Sequence, residues 1–295
     1  MKKRLASLLT FMMMVAIIAP AVVSADKVIN EKLGVPIVVY GSNLSDSEKA
    51  SVKESLTVAN EAEVEELSVD GNDLIKYIPG GDRNARMYSS AKITRQEEGE
   101  GLVINIVTPD NITQVTADMY ATAMTTAGIE DAIVEVAAPK KVTGHSALVG
   151  IYKAYEVSGE VLDTERTDVA NDELSLATKL SEKAGVNQDE VAKLLTEIKK
   201  QISEQKPATK EDVEQIVHDQ LQKFNIELNE ADRQLLIDLM DRISKLDIDF
   251  SKLNEQLSDM TSKIKDKLGN IDPSFWEKVK EFFRNMAESL KSLFS

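Results

Sequence analysis

Histidine and cysteine, the residue types that most often carry nucleophilic catalysis and metal binding, are scarce in this 295-residue chain, which holds two histidines and no cysteine. His145 stands in Thr143-Gly144-His145-Ser146, at a loop leading into a helical stretch, where exposure and reach suit general-base work. A Ser-His-Asp arrangement also needs an acid that orients the ring. Neither histidine lies in a Gly-x-Ser-x-Gly or His-Glu-x-x-His context. His218 is followed by Asp219 and Gln220 inside an amphipathic repeat and reads as a surface residue. Without cysteine or paired histidines an ordinary zinc site is not supported, and no Asp-x-Asp-x-Asp-Gly calcium loop occurs. Gly80-Gly81-Asp82-Arg83 offers backbone N–H groups to an anion but lacks the lysine and serine of a phosphate loop, so it reads as a plain turn. Ser89-Ser90, within an apolar alternation, reads as a strand edge. Carboxylates are abundant, and a glycosidase needs only two facing across a cleft, a relation that spacing does not display. These residues point to no catalytic constellation, no cofactor and no metal.

The charge balance narrows the partners. Fifty acidic side chains against 35 basic ones give a formal net charge of −15. Nucleic acid, whose binding is dominated by cationic contacts to phosphate, is disfavoured, and so is adsorption of the whole body to an anionic bilayer. Solubility explains the acidity; weak recruitment of calcium or magnesium is the alternative. The first 25 residues have the layout of a secretory leader: Lys2, Lys3 and Arg4, an apolar run from Leu5 to Ile18, Pro20, then the small residues before Ala25. Cleavage is expected between Ala25 and Asp26. An uncleaved anchor is the competing reading, since apolar character continues almost to Val23. No cysteine follows to take a lipid, so the expected product is soluble outside the cytoplasmic membrane.

Two textures follow, and they predict an α+β protein. Residues 26–142 read as an α/β sandwich-like module of two β-α-β units plus a hairpin. Val35–Tyr40 is apolar and β-branched, a buried strand. Ser45 and Glu48 form a capping box for a helix to about Leu56. Val64–Val69 is a half-exposed strand edged by glutamates. After the Pro79–Asp82 loop, Ala85–Arg95 and Leu102–Thr108 read as strands around the Glu97–Gly101 turn. Thr116 caps a helix that Gly128 stops, and Ala132–Ala138 closes the second unit. Residues 143–271 read as a helical bundle. Leu148, Ile151, Tyr152 and Tyr155 share one side, and three- and four-residue spacings recur in Val191–Ile202, Val213–Phe224, Leu235–Leu246 and Leu253–Leu268. Strict heptads do not persist long enough for a coiled coil.

Residues 272–295 read as a terminal amphipathic helix, with Asp272 as cap and Pro273 in its first turn. Phe275, Trp276, Val279, Phe282 and Phe283 form one apolar face, continued by Met286, Leu290, Leu293 and Phe294. This face is a candidate interaction surface, for the bundle itself, for self-association, or for a membrane; its opposite side is nearly charge-balanced rather than basic. The expected function is a non-enzymatic binding or scaffolding protein of the cell envelope whose protein or wall partner is unknown. A carboxylate-dependent wall hydrolase and a membrane-surface protein are the alternatives.

Several stretches carry a family resemblance. Val39-Tyr40-Gly41-Ser42-Asn43-Leu44-Ser45, Tyr88-Ser89-Ser90-Ala91-Lys92-Ile93-Thr94, the helix from Met119-Tyr120 to Gly128, and above all Val136–Pro139 through Val142–Leu148 to Lys153–Glu156 resemble the YpuA-like exported proteins, the domain of unknown function 1002. His145 stands where a small residue is expected in relatives. The resemblance covers most of the chain beyond the leader and implies export from a Gram-positive bacterium. It implies no activity and no catalytic residues.

Overall fold

The computed structural model describes residues 32–248, apart from 62, 184–186 and 247. The leader, with Ala25 and Asp26, and the aromatic face from Phe275 to Phe294 lie outside the described residues.

Within them the α+β reading holds. A five-stranded mixed sheet is built from β1 (Ile37–Gly41), β2 (Glu65–Val69), β3 (Ser90–Arg95), β4 (Leu102–Ile106) and β5 (Ala132–Ala137), in the order β2-β1-β3-β5-β4. Two β-α-β units flank the central strand: β1 and β2 run parallel, as do β4 and β5, while β3 is antiparallel to both of its neighbours. Helix α1 (Asp46–Ser55) links the first pair and α3 (Ala117–Ala127) the second. The expected hairpin does not form, because β5 inserts between β3 and β4. The turn after β3 is tied to the start of β5 instead. Asp131 Oδ1 accepts from the N–H groups of Gly99 and Gly101, and its carbonyl accepts from Gln96 N at 2.7 Å. These bonds hold β4 one strand away.

Alternation along β1 assigns the two faces. Val38 and Tyr40 join Val52, Leu56 and Val58 in a small core under α1. Ile37 and Val39 face the other way, into a single apolar cluster that runs from the sheet to Ile243 near the end of the last described helix. That second face is covered by α3 and α4 (His145–Val157). Outside them pack α5 (Thr164–Lys183), α6 (Gln188–Gln205), α7 (Lys210–Phe224) and α8 (Glu230–Ser244). β2 is an edge strand with Glu65 and Glu66 exposed, as its glutamates led one to expect. β3 starts at Ser90 rather than near Ala85 and is central. The strand-edge reading of Ser89-Ser90 is therefore overturned: both serines are buried.

The helices begin and end where their side chains satisfy stray backbone groups. Ser45 Oγ accepts from Glu48 N, and Glu48 Oε2 accepts from Ser45 N at 2.9 Å. Thr116 and Asn229 cap α3 and α8 as expected, and Gly128 stops α3 at φ 86°. Helix α2 (Gly71–Tyr77) occupies a stretch for which the sequence predicted no helix or strand, started by a capping box of Asp70 and Asp73. Leu235, counted in an apolar stripe, is exposed instead.

The helical layer is fastened by an ion pair. Lys199 of α6 and Glu173 of α5 are 0 % and 1 % exposed, and Lys199 Nζ lies 2.7 Å from Glu173 Oε1. The ammonium also donates to Thr122 O at 2.9 Å and Thr126 Oγ1 at 3.1 Å on α3, while Thr126 Oγ1 donates to Glu173 Oε2 at 2.5 Å. Burial holds the Lys199 ammonium below its ordinary pKa, and the Glu173 charge opposes that shift. Replacing Lys199 alone by Met strands a buried carboxylate and is expected to cost about 3–5 kcal/mol. The double variant Lys199→Met, Glu173→Leu should come back to within about 1 kcal/mol of the parent. Urea unfolding measures both; a double variant as unstable as the single one would mean that the two charges are not coupled.

Candidate functional site

Two of the features weighed for chemistry, the glycine turn and His145, meet at one place. The end of α2, the segment before β3, the start of α4 and the middle of α5 enclose a cleft of about 370 Å³, within the size range of small-ligand sites. Its apolar wall is made by Leu74, Ile78, Met87 and Val149. Gly81, Arg86, His145, Ser146, Asn171 and Ser175 supply the polar groups.

Each segment is held from behind. Asn43 Oδ1 accepts from Met87 N at 2.7 Å, and Met87 O accepts from Asn43 N at 3.1 Å. This fixes the chain leading into β3 against the end of β1. The approach is so close that a Cβ on Gly41 would lie 2.3 Å from Met87 O, which is the physical need for glycine in Gly41-Ser42-Asn43. The start of α4 is fixed by Gly144, at φ 107°, whose carbonyl accepts from Tyr120 Oη at 2.6 Å and Ser89 Oγ at 3.2 Å. Ser146 Oγ accepts from Ser89 N at 3.2 Å and lies 2.6 Å from Ser89 Oγ. With Ser89 donating to Gly144, Ser146 is the donor of that last bond. The hydroxyls are thus engaged in joining strand to helix.

The arrangement does not build a nucleophile. His145 does not approach Ser146 as a base would; its Nε2 sits 3.5 Å from Thr178 Oγ1, which itself donates to Ser175 O. The ring is partly buried rather than free in a loop, and desolvation pushes its pKa below the ordinary value, with the Glu182 charge opposing. His218 is exposed on α7 and pairs with Gln222 at 3.0 Å, as its surroundings led one to expect. Gly80–Arg83 is a turn, closed by Gly81 N donating to Ile78 O and Asn84 N donating to Asp82 Oδ1. Among the described residues no group of three or more histidines or acids is placed to hold a metal ion, and no helix is long and apolar enough to cross a membrane.

Several polar groups of the cleft are uncommitted, Ser175 Oγ among them. Among the described residues Arg86 meets no carboxylate and Asn171 makes no side-chain hydrogen bond. The α4 N-terminus is capped by Gly144 without any side-chain acceptor. Sequence reasoning considered the glycine turn, Ser89 and His145 singly. It missed Arg86, Asn171 and Ser175, which carry no local signal.

His145 gives the site a pH dependence whose sign is fixed. A ring harder to protonate in the folded than in the unfolded chain lets the unfolded state bind more protons. Its contribution is therefore full above the unfolded value of about 6.5 and is lost as the pH falls from there toward the folded value. Thermal unfolding between pH 7 and pH 5 should show a shallower loss in His145→Gln than in the parent; an identical slope would place the ring in solvent.

The comparisons with known proteins come down on one family. The family model described as "Protein of unknown function (DUF1002)" matches residues 40–260, a span that includes the whole cleft. The chain is 34% identical over 273 residues to "Uncharacterized protein YpuA" of Bacillus subtilis (strain 168), covering 89% of this chain and 90% of that one. No solved structure matches. By the extent of both matches, this chain belongs to the DUF1002 family.

Proposed function

We propose that this protein is a non-catalytic, extracytoplasmic binding protein of a Gram-positive envelope, and that it holds a small ligand in the cleft between α2, β3, α4 and α5. The observation that carries the reading is the cleft itself: a partly apolar recess whose walls are braced from behind, while Arg86 and Asn171 are left without partners. Such a recess, with few polar groups around an apolar floor, is the usual form of a ligand site. Ser146, the serine next to His145, is spent on joining strand to helix and the histidine on packing, which supports binding over turnover. A carboxylate-dependent wall hydrolase would need two acids across a cleft, and no acid lines this one. The three-part leader layout supports the location.

The test uses the chain expressed with its own leader in a Gram-positive host. The exported protein is expected to begin at Asp26, read by mass spectrometry, and to retain a component of a soluble wall digest after gel filtration. Ser175→Trp, at the edge that the cleft shares with the α5–α8 groove, should abolish that retention, while Leu235→Trp, which lines that groove alone, should leave it intact. Recovery only in the membrane with Met1 intact would overturn the location. Cleavage of wall polymer during incubation would overturn the non-catalytic reading, and retention unaffected by Ser175→Trp would overturn the site.

A further inference from the structure

From the lining of this cleft we infer its ligand class: the C-terminal end of a short aliphatic peptide, bound by its free carboxylate. The inference rests on the binding reading above and adds what is bound.

The first argument is electrostatic. The chain carries 50 acidic side chains against 35 basic ones, so a cation in a recess ordinarily has an acid beside it. In each of two other recesses the cations face acids: Lys179 and Arg242 stand with Asp172 and Asp238 in the groove between α5 and α8, and Arg233 with Glu227 at the α7–α8 corner. The cleft departs from this background, since its lining holds no carboxylate and one permanently charged side chain, Arg86. Arg95, Arg233 and Arg242 all reach carboxylates, and Arg166 reaches the carbonyls of α3. Arg86 does not. In an acidic protein a guanidinium without a partner, at the edge of a recess free of acids, favours an anion arriving from outside. A planar carboxylate matches the fork of an arginine in a two-bond contact.

The second argument is the rest of the wall. Leu74, Ile78, Met87 and Val149 provide an apolar floor that a bare inorganic anion would leave empty. The Asn171 carboxamide, with one acceptor and two donors, can pair with the N–H and C=O of a peptide unit, and Ser175 adds a hydroxyl at the rim. Carboxylate, aliphatic side chain and peptide unit occur together at the end of a peptide chain. A volume of about 370 Å³ accepts about two residues, by comparison with the 300–1,000 Å³ that hold drug-sized ligands.

The experiment compares N-acetyl-leucyl-alanine as the free acid with its C-terminal amide, titrated into the exported protein at low salt and followed by amide NMR shifts at Gly81, His145 and Ser146. The acid is expected to bind at least 10-fold more tightly than the amide. Arg86→Gln should weaken the acid to the level of the amide and leave the amide unchanged, a pattern that misfolding would not produce. Equal binding of acid and amide would overturn the carboxylate assignment while leaving the cleft a binding site. Inorganic phosphate displacing the acid at equal concentration would overturn the peptide-end assignment in favour of a generic anion. No shift with either peptide would overturn the inference; the binding reading itself then stands or falls on whether Ser175→Trp abolishes retention of the wall-digest component.

Discussion

Glu173 is buried where the helices close over the sheet, and it needs a counter-charge there, because an ionised carboxylate withdrawn from water is among the costliest groups a protein can bury. Lys199 is the counter-charge, and Thr122 and Thr126 complete the set of partners. The four residues come from three helices, so the pair sets the rotation of α5 and α6 about their own axes as well as their distance from α3. A hydrophobic seam would tolerate small turns of a helix; a pair with fixed donors and acceptors does not. Asn171 and Ser175 lie two positions either side of Glu173 on α5 and line the cleft. The internal ion pair and the ligand-facing groups are therefore fixed by the same few residues.

The sheet answers a different constraint. Two parallel units are joined through one antiparallel strand, and β3 pays for its central position by carrying a lysine inward. Lys92 is 3 % exposed and meets Glu135 on the neighbouring strand at 2.5 Å, Leu56 O at 2.8 Å and Glu61 at 3.5 Å. Its register partner is that same Glu135. Among the described residues each side of the sheet thus has one buried lysine paired with acid from another element, Lys92 under α1 and Lys199 in the helical layer. In both places the pair ties together particular segments, β3 to β5 at their register partners and α6 to α5.

Much of this architecture was readable in the sequence because it rests on local signals. Ser45 with Glu48, Thr116 with Gly128, and Asn229 all act over one helical turn, and the β-branched run at β1 needs no partner to declare itself. The parts that were not readable depend on distant segments. The insertion of β5 between β3 and β4 follows from the bonds of Asp131 to a turn some thirty residues earlier. Helix α2 has seven residues, too few for a periodic stripe, and only its Asp70–Asp73 box announces it. Lys199 falls between Leu195 and Ile202 on the apolar face of α6, and Glu173 between Ala170 and Ala177 on that of α5. Their positions contain the clue, but a long charged residue on such a stripe usually bends its head back to water. The cleft draws on four segments spread over a hundred residues, and no single one of them is distinctive.

The exposed glutamates of β2 bear on how copies of this protein meet one another. An edge strand offers a row of free backbone donors and acceptors to any passing strand, and a second sheet could in principle join there. Glu65 and Glu66 stand on that edge, with Lys49 and Lys53 of α1 drawn toward Glu66. Two such edges brought side by side would set acid against acid at strand spacing. The fold therefore discourages polymerisation through this edge of the sheet, and at high local concentration it keeps its strands to itself.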